Sequence, residues 1–276
     1  MDEEELRKIE MKLLLEGVFQ VYGYDFRSYS EASIRRRLTH WLAESDFPGF
    51  AEATKEVLRV HSSFQTLLRS LTVNVSEMFR DPAFFKALRE QVIPYLKTFP
   101  FVKIWHAGCS RGEEAYSMAI LLDEEGLQDR FRIYATDINP EVIEQARAGI
   151  YPIKDLQLYT RNYQKAGGRA SFADYYTARY DNALLRPSLQ KAILFGTHNL
   201  ATDADLGEMH LVLCRNVLIY FKEPLKERAL GLFDASLDPG GFLCLGIKET
   251  LSGHLVASHF EEVAPRLRIY RKRYLA

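Results

Sequence analysis

Apolar residues recur at helical spacing through the first quarter of the chain. In residues 3–20 they fall at Leu6, Ile9, Leu13 and Leu14, and in residues 31–45 at Ile34, Leu38, Trp41 and Leu42. Steps of three and four place side chains on one helix face, so both segments are predicted to be helices that bury a stripe. Gly23, Asp25, Ser28 and Ser30 supply turn and capping chemistry between them, and Phe47-Pro48-Gly49 breaks the pattern again. A further helix is predicted from about residue 82 through Leu88, Val92 and Leu96, ending before Pro100. An all-α N-terminal domain over residues 1–70 is therefore expected, followed by a linker at 71–85.

After Pro100 the pattern alternates. VKIWHAG (102–108), FRIYATD (131–137), HLVLCRN (210–216) and GFLCLGI (241–247) read as buried strands. EEAYSMAILLDEE, PEVIEQARAG and PLKERALGLFDASL read as helices between them, the second begun by Pro140. Strands alternating with helices of this length predict a parallel sheet covered on both faces, a doubly wound α/β domain over residues 86–276. HFEEVAP and RLRIYRKRY are predicted to close it as an antiparallel edge. Residues 171–198 carry tyrosines and short alternating runs without an intervening helix, so a small antiparallel β subdomain is expected there.

With 276 residues, 47% of them hydrophobic and 26% charged, the chain is long enough for one large α/β domain and a small companion. A formal charge of −1 gives no global field toward nucleic acid, and no nucleic-acid partner is expected. Cys109, Cys214 and Cys244 show no CxxC spacing, which argues against a disulfide framework. The seven histidines form no HxH or HExxH cluster, so no metal site is expected. The N-terminus, MDEEEL, is acidic where a secretory signal would be basic. No apolar run approaches the roughly 20 residues that cross a bilayer. A cytoplasmic protein without membrane insertion is expected.

Ligands of doubly wound sheets bind beyond the carboxyl ends of the strands, at the topological switch point. The first strand runs into Gly108-Cys109-Ser110-Arg111-Gly112-Glu113-Glu114. Its spacing is not G-x-G-x-x-G, and two carboxylates stand where a pyrophosphate would bind, which disfavours a dinucleotide oxidoreductase. S-adenosylmethionine, with its sulfonium, ammonium and ribose, suits such a loop better; alternatively, the two glutamates serve only the helix dipole. Asp137 ends the second strand, where α/β nucleotide binders bond ribose hydroxyls, and Asn139 is better placed to cap the helix that follows. Cys214-Arg215-Asn216 places further polar groups at a strand end.

Residues 71–81 (LTVNVSEMFRD), 104–118 (IWHAGCSRGEEAYSM), 134–151 (YATDINPEVIEQARAGIY), 198–200 (HNL), 214–221 (CRNVLIYF) and 238–249 (DPGGFLCLGIKE) resemble, in order, the motifs of CheR-type chemoreceptor methyltransferases. The resemblance covers nearly the whole chain and implies a Rossmann-like class I methyltransferase domain behind an all-α domain. It implies S-adenosylmethionine as cofactor and S-adenosylhomocysteine as product. By the same resemblance Asn74, Ser76 and Arg80, in the linker, fold over the cofactor, and Glu114 contacts its methionine portion or the surroundings. Asp137 matches the ribose ligand, Asn199 and Leu200 flank the adenine, and Gly108, Arg215 and Asn216 belong to the cofactor site. Arg80 and Tyr220 match the side chains beside the transferred methyl.

The implied partners are the cytoplasmic methylation helices of chemoreceptors. Arg35, Arg36 and Arg37, with Lys8 and Lys12, offer charge for such acidic helices. Members that dock a receptor's C-terminal pentapeptide carry a glycine-bearing turn in the β subdomain; here the turn is Tyr180-Asp181-Asn182, so no such tether is expected to bind. Met209-His210 and Lys248 also depart from the acidic residue and the serine usual in the family. A monomer is expected. Two other readings stay open: a methyltransferase of the same fold acting on another protein or a small molecule, and a cofactor-sensing module without activity.

Overall fold

Helix α1 (Glu3–Tyr22) begins at a capping box in which Asp2 accepts the Glu5 N–H and Glu5 reaches back to the Asp2 N–H. It buries Met11, Leu14, Leu15 and Val18, whereas Leu6, Ile9 and Leu13 are 43%, 44% and 60% exposed. The stripe predicted from the sequence is thus the wrong one, with only Leu14 shared. Apolar residues lie on two sides of α1, and packing selects the side bearing Gly17, where a Cβ would meet Leu58 at 2.9 Å. Helices α2 (Glu31–Ala43), α3 (Phe50–Val57) and α4 (His61–Leu71) complete the helical region, α2 burying Ile34, Leu38 and Trp41 as its periodicity predicts.

The computed structural model describes residues 2–274 and divides into two compact units. Among the described residues one comprises 2–73, 199–204 and 219–229, and the other 74–198, 205–218 and 230–274. The second unit opens with α5 (Pro82–Ala87), a π-helical turn (Leu88–Val92) and α6 (Ile93–Leu96). It continues through β1 (Val102–Ala107), α7 (Glu113–Glu124), β2 (Phe131–Asp137), α8 (Pro140–Ala148), β3 (Ile150–Pro152), α9 (Ile153–Lys165), β4 (Tyr176–Arg179), β5 (Asn182–Leu185), α10 (Pro187–Lys191) and β6 (Ile193–Thr197). After β7 (Met209–Cys214), helix α11 (Glu223–Ser236) leads into β8 (Leu237–Leu245), β9 (Phe260–Ala264) and β10 (Ile269–Lys272).

A seven-stranded sheet runs in the order β6-β2-β1-β7-β8-β10-β9. Strands β6, β2, β1, β7 and β8 are mutually parallel, and β10 is antiparallel to both neighbours, the closing edge that the sequence predicts. The central strands are buried along most of their length, as parallel strands covered on both faces must be. Because β2 and β7 flank β1, the chain direction across the sheet reverses there, and the crevice lies beyond the carboxyl ends of β1 and β7. Cys109, Cys214 and Cys244 are buried thiols.

The β subdomain expected at 171–198 is smaller and differently composed. Its sheet is β3-β5-β4, so Ile150–Pro152 joins from upstream, and β6 pairs instead with β2, Ile133 opposite Ile193 and Asp137 opposite Thr197. The intervening α10 has five residues, too few to reveal a helical period, yet it carries the chain from one sheet to the other. Among the described residues no helix is long and apolar enough to cross a membrane.

Candidate active site

The loop after β1 turns on three left-handed residues, Gly108 (φ 79°), Ser110 (φ 52°) and Gly112 (φ 87°). At Gly108 a Cβ would approach Val217 to 2.4 Å, so this glycine is required both by conformation and by close packing. The Gly108 and Cys109 N–H groups donate to the Thr136 carbonyl at 2.8 Å, which ties the loop to the end of β2. Asp137 completes the tie: its buried carboxylate accepts the Ser110 N–H at 2.8 Å and the Asn139 N–H at 3.1 Å. Burial pushes its carboxyl above the usual range, and these backbone donors partly offset the shift. Asn139 caps α8 through the Glu141 N–H at 2.9 Å, the capping role read from the sequence. Ser110 Oγ is buried in this cradle without a hydrogen-bond partner, a polar group suited to a polar ligand.

The two glutamates that open α7 differ in environment. Glu113 is fully buried, with Arg111 Nη2 at 3.0 Å, and burial raises its carboxyl above the usual range. Glu114 is also driven upward by burial, but the Arg215 guanidinium and the His106 hydrogen bond outweigh this and hold it at about 2. Arg215 is the hub: Nη1 lies 2.6 Å from Glu114, Nη2 lies 2.6 Å from Asp81, and the guanidinium stacks over Phe84 at 4.0 Å. Its terminal nitrogens are thus committed to two carboxylates, joining the start of α7, the end of β7 and the entry to α5.

A pH dependence follows from Glu114. Its folded pKa lies below the ordinary 4.5, so its stabilising contribution is complete above that value and is lost as pH falls toward about 2. Glu113, shifted upward, contributes in the opposite sense over the acid range. In thermal unfolding against pH, Glu114→Gln is expected to flatten the acid limb and to lower stability at neutral pH, because Arg215 then keeps Asp81 as its only carboxylate partner of the two. An unchanged acid limb would remove Glu114 from this linkage.

The 74–81 loop holds Asn74, Ser76 and Arg80, all half-buried, and places Phe79 (φ 52°) and Asp81 (φ 56°) in the left-handed region. Asn216 (φ 61°) follows β7, and the Glu249 carboxylate fixes it there by accepting the N–H groups of Asn216 at 3.0 Å, Val217 at 2.9 Å and Gly246. Gly108, Glu114, Asp137, Arg215 and Asn216 thus gather at the ends of β1, β2 and β7. No spacing in the sequence marks Asp81, His106 and Glu249, although a buried arginine at a strand end already demands acidic partners.

The helical unit contains the other expected positions. Asn199 accepts the Ala201 N–H at 3.0 Å and donates its own N–H to Asp203 at 2.9 Å, and Leu200 is buried. The Tyr220 carbonyl accepts the Ser30 N–H at 2.7 Å, and the Arg37 guanidinium lies 5.5 Å from the Tyr220 ring. The three arginines part company: Arg35 and Arg36 are exposed, Arg35 with Glu4 at 3.4 Å, whereas Arg37 turns inward and donates to the Thr72 carbonyl at 3.2 Å.

Residues 74–265 match the family model described as CheR methyltransferase, SAM binding domain, and residues 9–72 match CheR methyltransferase, all-alpha domain. "Putative methyltransferase Cher3" of Pseudomonas putida is 50% identical over 99% of this chain and its own full length. "Chemotaxis protein methyltransferase" of Listeria innocua is 32% identical, covering 83% of this chain and 85% of its own. Among solved structures, the N-methyltransferase NodS of Bradyrhizobium japonicum with S-adenosyl-L-homocysteine is similar over 72% of this chain and 90% of its own, at 14% identity and a TM-score of 0.39. From its all-α domain through its glycine loop and the Arg215 hub, the chain belongs to the CheR methyltransferase family, and its cofactor is S-adenosylmethionine.

Proposed function

We propose that the protein transfers the methyl group of S-adenosylmethionine to glutamate side chains on the cytoplasmic helices of chemoreceptors, giving methyl esters and S-adenosylhomocysteine. The observation that carries this reading is the pairing, in one chain, of the all-α and S-adenosylmethionine-binding domains of the CheR family. Relatives from Listeria innocua and Vibrio cholerae that bear the name chemotaxis protein methyltransferase span 83% and 80% of the chain.

Bound S-adenosylmethionine supplies an electrophilic methyl on a sulfonium. A glutamate carboxylate, with an ordinary pKa of about 4.3, is already ionised at neutral pH, so the chain needs no strong base. Transfer of that methyl to a carboxylate oxygen would leave a neutral thioether and would require no proton to move. The protein's task is therefore to position and desolvate. Asp137 holds the ribose hydroxyls, Asn199 and Leu200 flank the adenine, and Asn74 and Ser76 cover the cofactor. Glu114, Arg215 and Asn216 frame the methionine end, and Gly108 lets the backbone turn tightly beside it. Arg80 orients one oxygen of the incoming carboxylate, and Tyr220 borders the methyl.

The helical unit supplies the receptor surface. Its cleft of about 420 Å³ has Met11, Leu15, Phe26 and Ile34 among its lining residues, and there Lys8, Lys12, Arg27, Arg35 and Lys222 outnumber Glu16 and Glu31. Apolar and basic groups together suit an acidic amphipathic helix. The hairpin turn at Tyr180, which lacks glycine, favours recognition without a C-terminal tether. This assignment puts the protein in the cytoplasm.

Two measurements test the partner. Methylation of a receptor cytoplasmic fragment is expected to fall with salt as the Debye length shrinks from about 10 Å at 0.1 M to about 3 Å at 1 M, with cofactor affinity changing much less. Arg36→Glu is expected to raise the apparent receptor KM without lowering thermal stability, whereas trimming the receptor C-terminus leaves the rate unchanged. If the trimmed receptor is not methylated while Arg36→Glu stays fully active, the docking surface lies on the β3-β5-β4 sheet instead. Label that appears in small-molecule extracts rather than in base-labile protein esters would favour a small-molecule substrate.

A further inference from the structure

We infer that Ser117, on the buried face of α7, is a positioning residue for methyl transfer that sets the backbone on which Arg80 stands. Phe79 and Asp81, the residues on either side of Arg80, have φ of 52° and 56°. Side chains disfavour this region, and a non-glycine residue stays in it only where its surroundings hold it there. On the Phe79 side the group that takes the backbone N–H is a hydroxyl. The Phe79 N–H donates to Ser117 Oγ at 2.8 Å, and Ser117 Oγ donates to the Glu113 carbonyl at 2.7 Å. The direction of both bonds is fixed, since the Phe79 N–H can only donate and the Glu113 carbonyl can only accept.

The neighbouring anchors come from other elements. The Met78 carbonyl accepts from Asn162 Nδ2 on α9 at 3.1 Å, and the Asp81 carboxylate accepts from Arg215 at 2.6 Å. Phe79 itself is fully buried, its ring 5.1 Å from Phe85 and 5.2 Å from Tyr163. Arg80 is therefore carried on a segment pinned at the residues before and after it, while its own side chain is only half-buried. Ser117 is fully buried, so alanine there strands the Phe79 N–H away from water. The hydroxyl also joins the first turn of α7, where Glu113 and Glu114 stand, to the loop that carries Arg80. It thereby couples the cofactor loop to the group proposed to hold the substrate carboxylate.

This inference rests on the proposed role of Arg80, and its test separates the two. Single-turnover methyl transfer at saturating cofactor and receptor fragment is measured for the wild type, Ser117→Ala, Arg80→Ala and the double variant, with cofactor affinity measured by calorimetry. Ser117→Ala is expected to slow transfer roughly tenfold with cofactor affinity within about threefold of wild type, and to slow the Arg80→Ala variant by less than about twofold. Ser117→Thr, which keeps the hydroxyl, is expected to recover most of the rate. Should Ser117→Ala fail to fold, Asn162→Ala, which frees the Met78 carbonyl, is read in the same cycle with the same expectation. Equal slowing by Ser117→Ala with and without Arg80, or no slowing at all while Arg80→Ala is impaired, overturns the inference. Full activity of Arg80→Ala overturns the role of Arg80 itself.

Discussion

Arg80→Ala is expected to slow single-turnover methyl transfer about 100-fold while changing cofactor affinity by less than about threefold, since misplacing a reacting group by about 1 Å can cost that much. The proposed reaction moves no proton and uses no covalent intermediate, so orientation of the carboxylate carries much of the rate. Arg80 is half-buried on a backbone with left-handed residues on both sides, which supports the role proposed for it. Arg80→Lys is expected to restore only part of the rate, because an ammonium keeps the charge but loses the fixed donor directions of the planar guanidinium. Equal losses in turnover and in cofactor affinity would recast Arg80 as a cofactor clamp.

Asp137→Ala is expected to weaken cofactor binding by about 1.5–3 kcal/mol, the scale of losing charged hydrogen bonds. The structure adds a second effect. The carboxylate also accepts the Ser110 and Asn139 N–H groups, so alanine leaves both without their acceptor, and thermal stability should fall with affinity. Asp137→Asn separates the two effects. Its carbonyl oxygen can still accept one of these N–H groups and recover part of the stability, while its amide cannot replace a carboxylate toward ribose hydroxyls. Calorimetry and thermal unfolding on the same preparations check both. An alanine variant with wild-type affinity would remove Asp137 from the cofactor site and leave it as an organiser of the loop.

Periodicity made the α/β alternation legible, because buried parallel strands and their covering helices differ in both pattern and length. β2 runs from Phe131 to Asp137 as predicted, and the antiparallel closing edge is where the sequence places it. The pattern misleads where it is short or two-sided. Leu6, Ile9 and Leu13 have helical spacing but face outward, since α1 has apolar residues on both sides and only the glycine side admits close packing. The sequence pattern assigns β6 to the small sheet because the five-residue α10 before it leaves no periodic trace.

The site shows the same division. Strand ends announce Asp137, Arg215 and Asn216, and the Gly108 loop announces itself by composition. What composition does not reveal is which of two adjacent glutamates is paired, or which way three consecutive arginines turn. Glu114 meets Arg215 while Glu113 lies against Arg111, and Arg37 turns toward the Thr72 carbonyl while Arg36 stays exposed. Ser117 gives no signal at all: a serine inside an apolar helix face is unremarkable until a strained N–H is found above it.

The central claim, that the chain esterifies chemoreceptor glutamates, is tested most directly at the level of peptides. A receptor cytoplasmic fragment from the same cell is incubated with the purified protein and S-adenosylmethionine carrying a deuterated methyl, digested, and sequenced by tandem mass spectrometry. The account predicts the heavy methyl on glutamate side chains, removable by mild base and greatly reduced with the Arg80→Ala variant. Heavy methyl on nitrogen or on another side chain, or none on any receptor peptide while S-adenosylhomocysteine accumulates with another acceptor present, would contradict it.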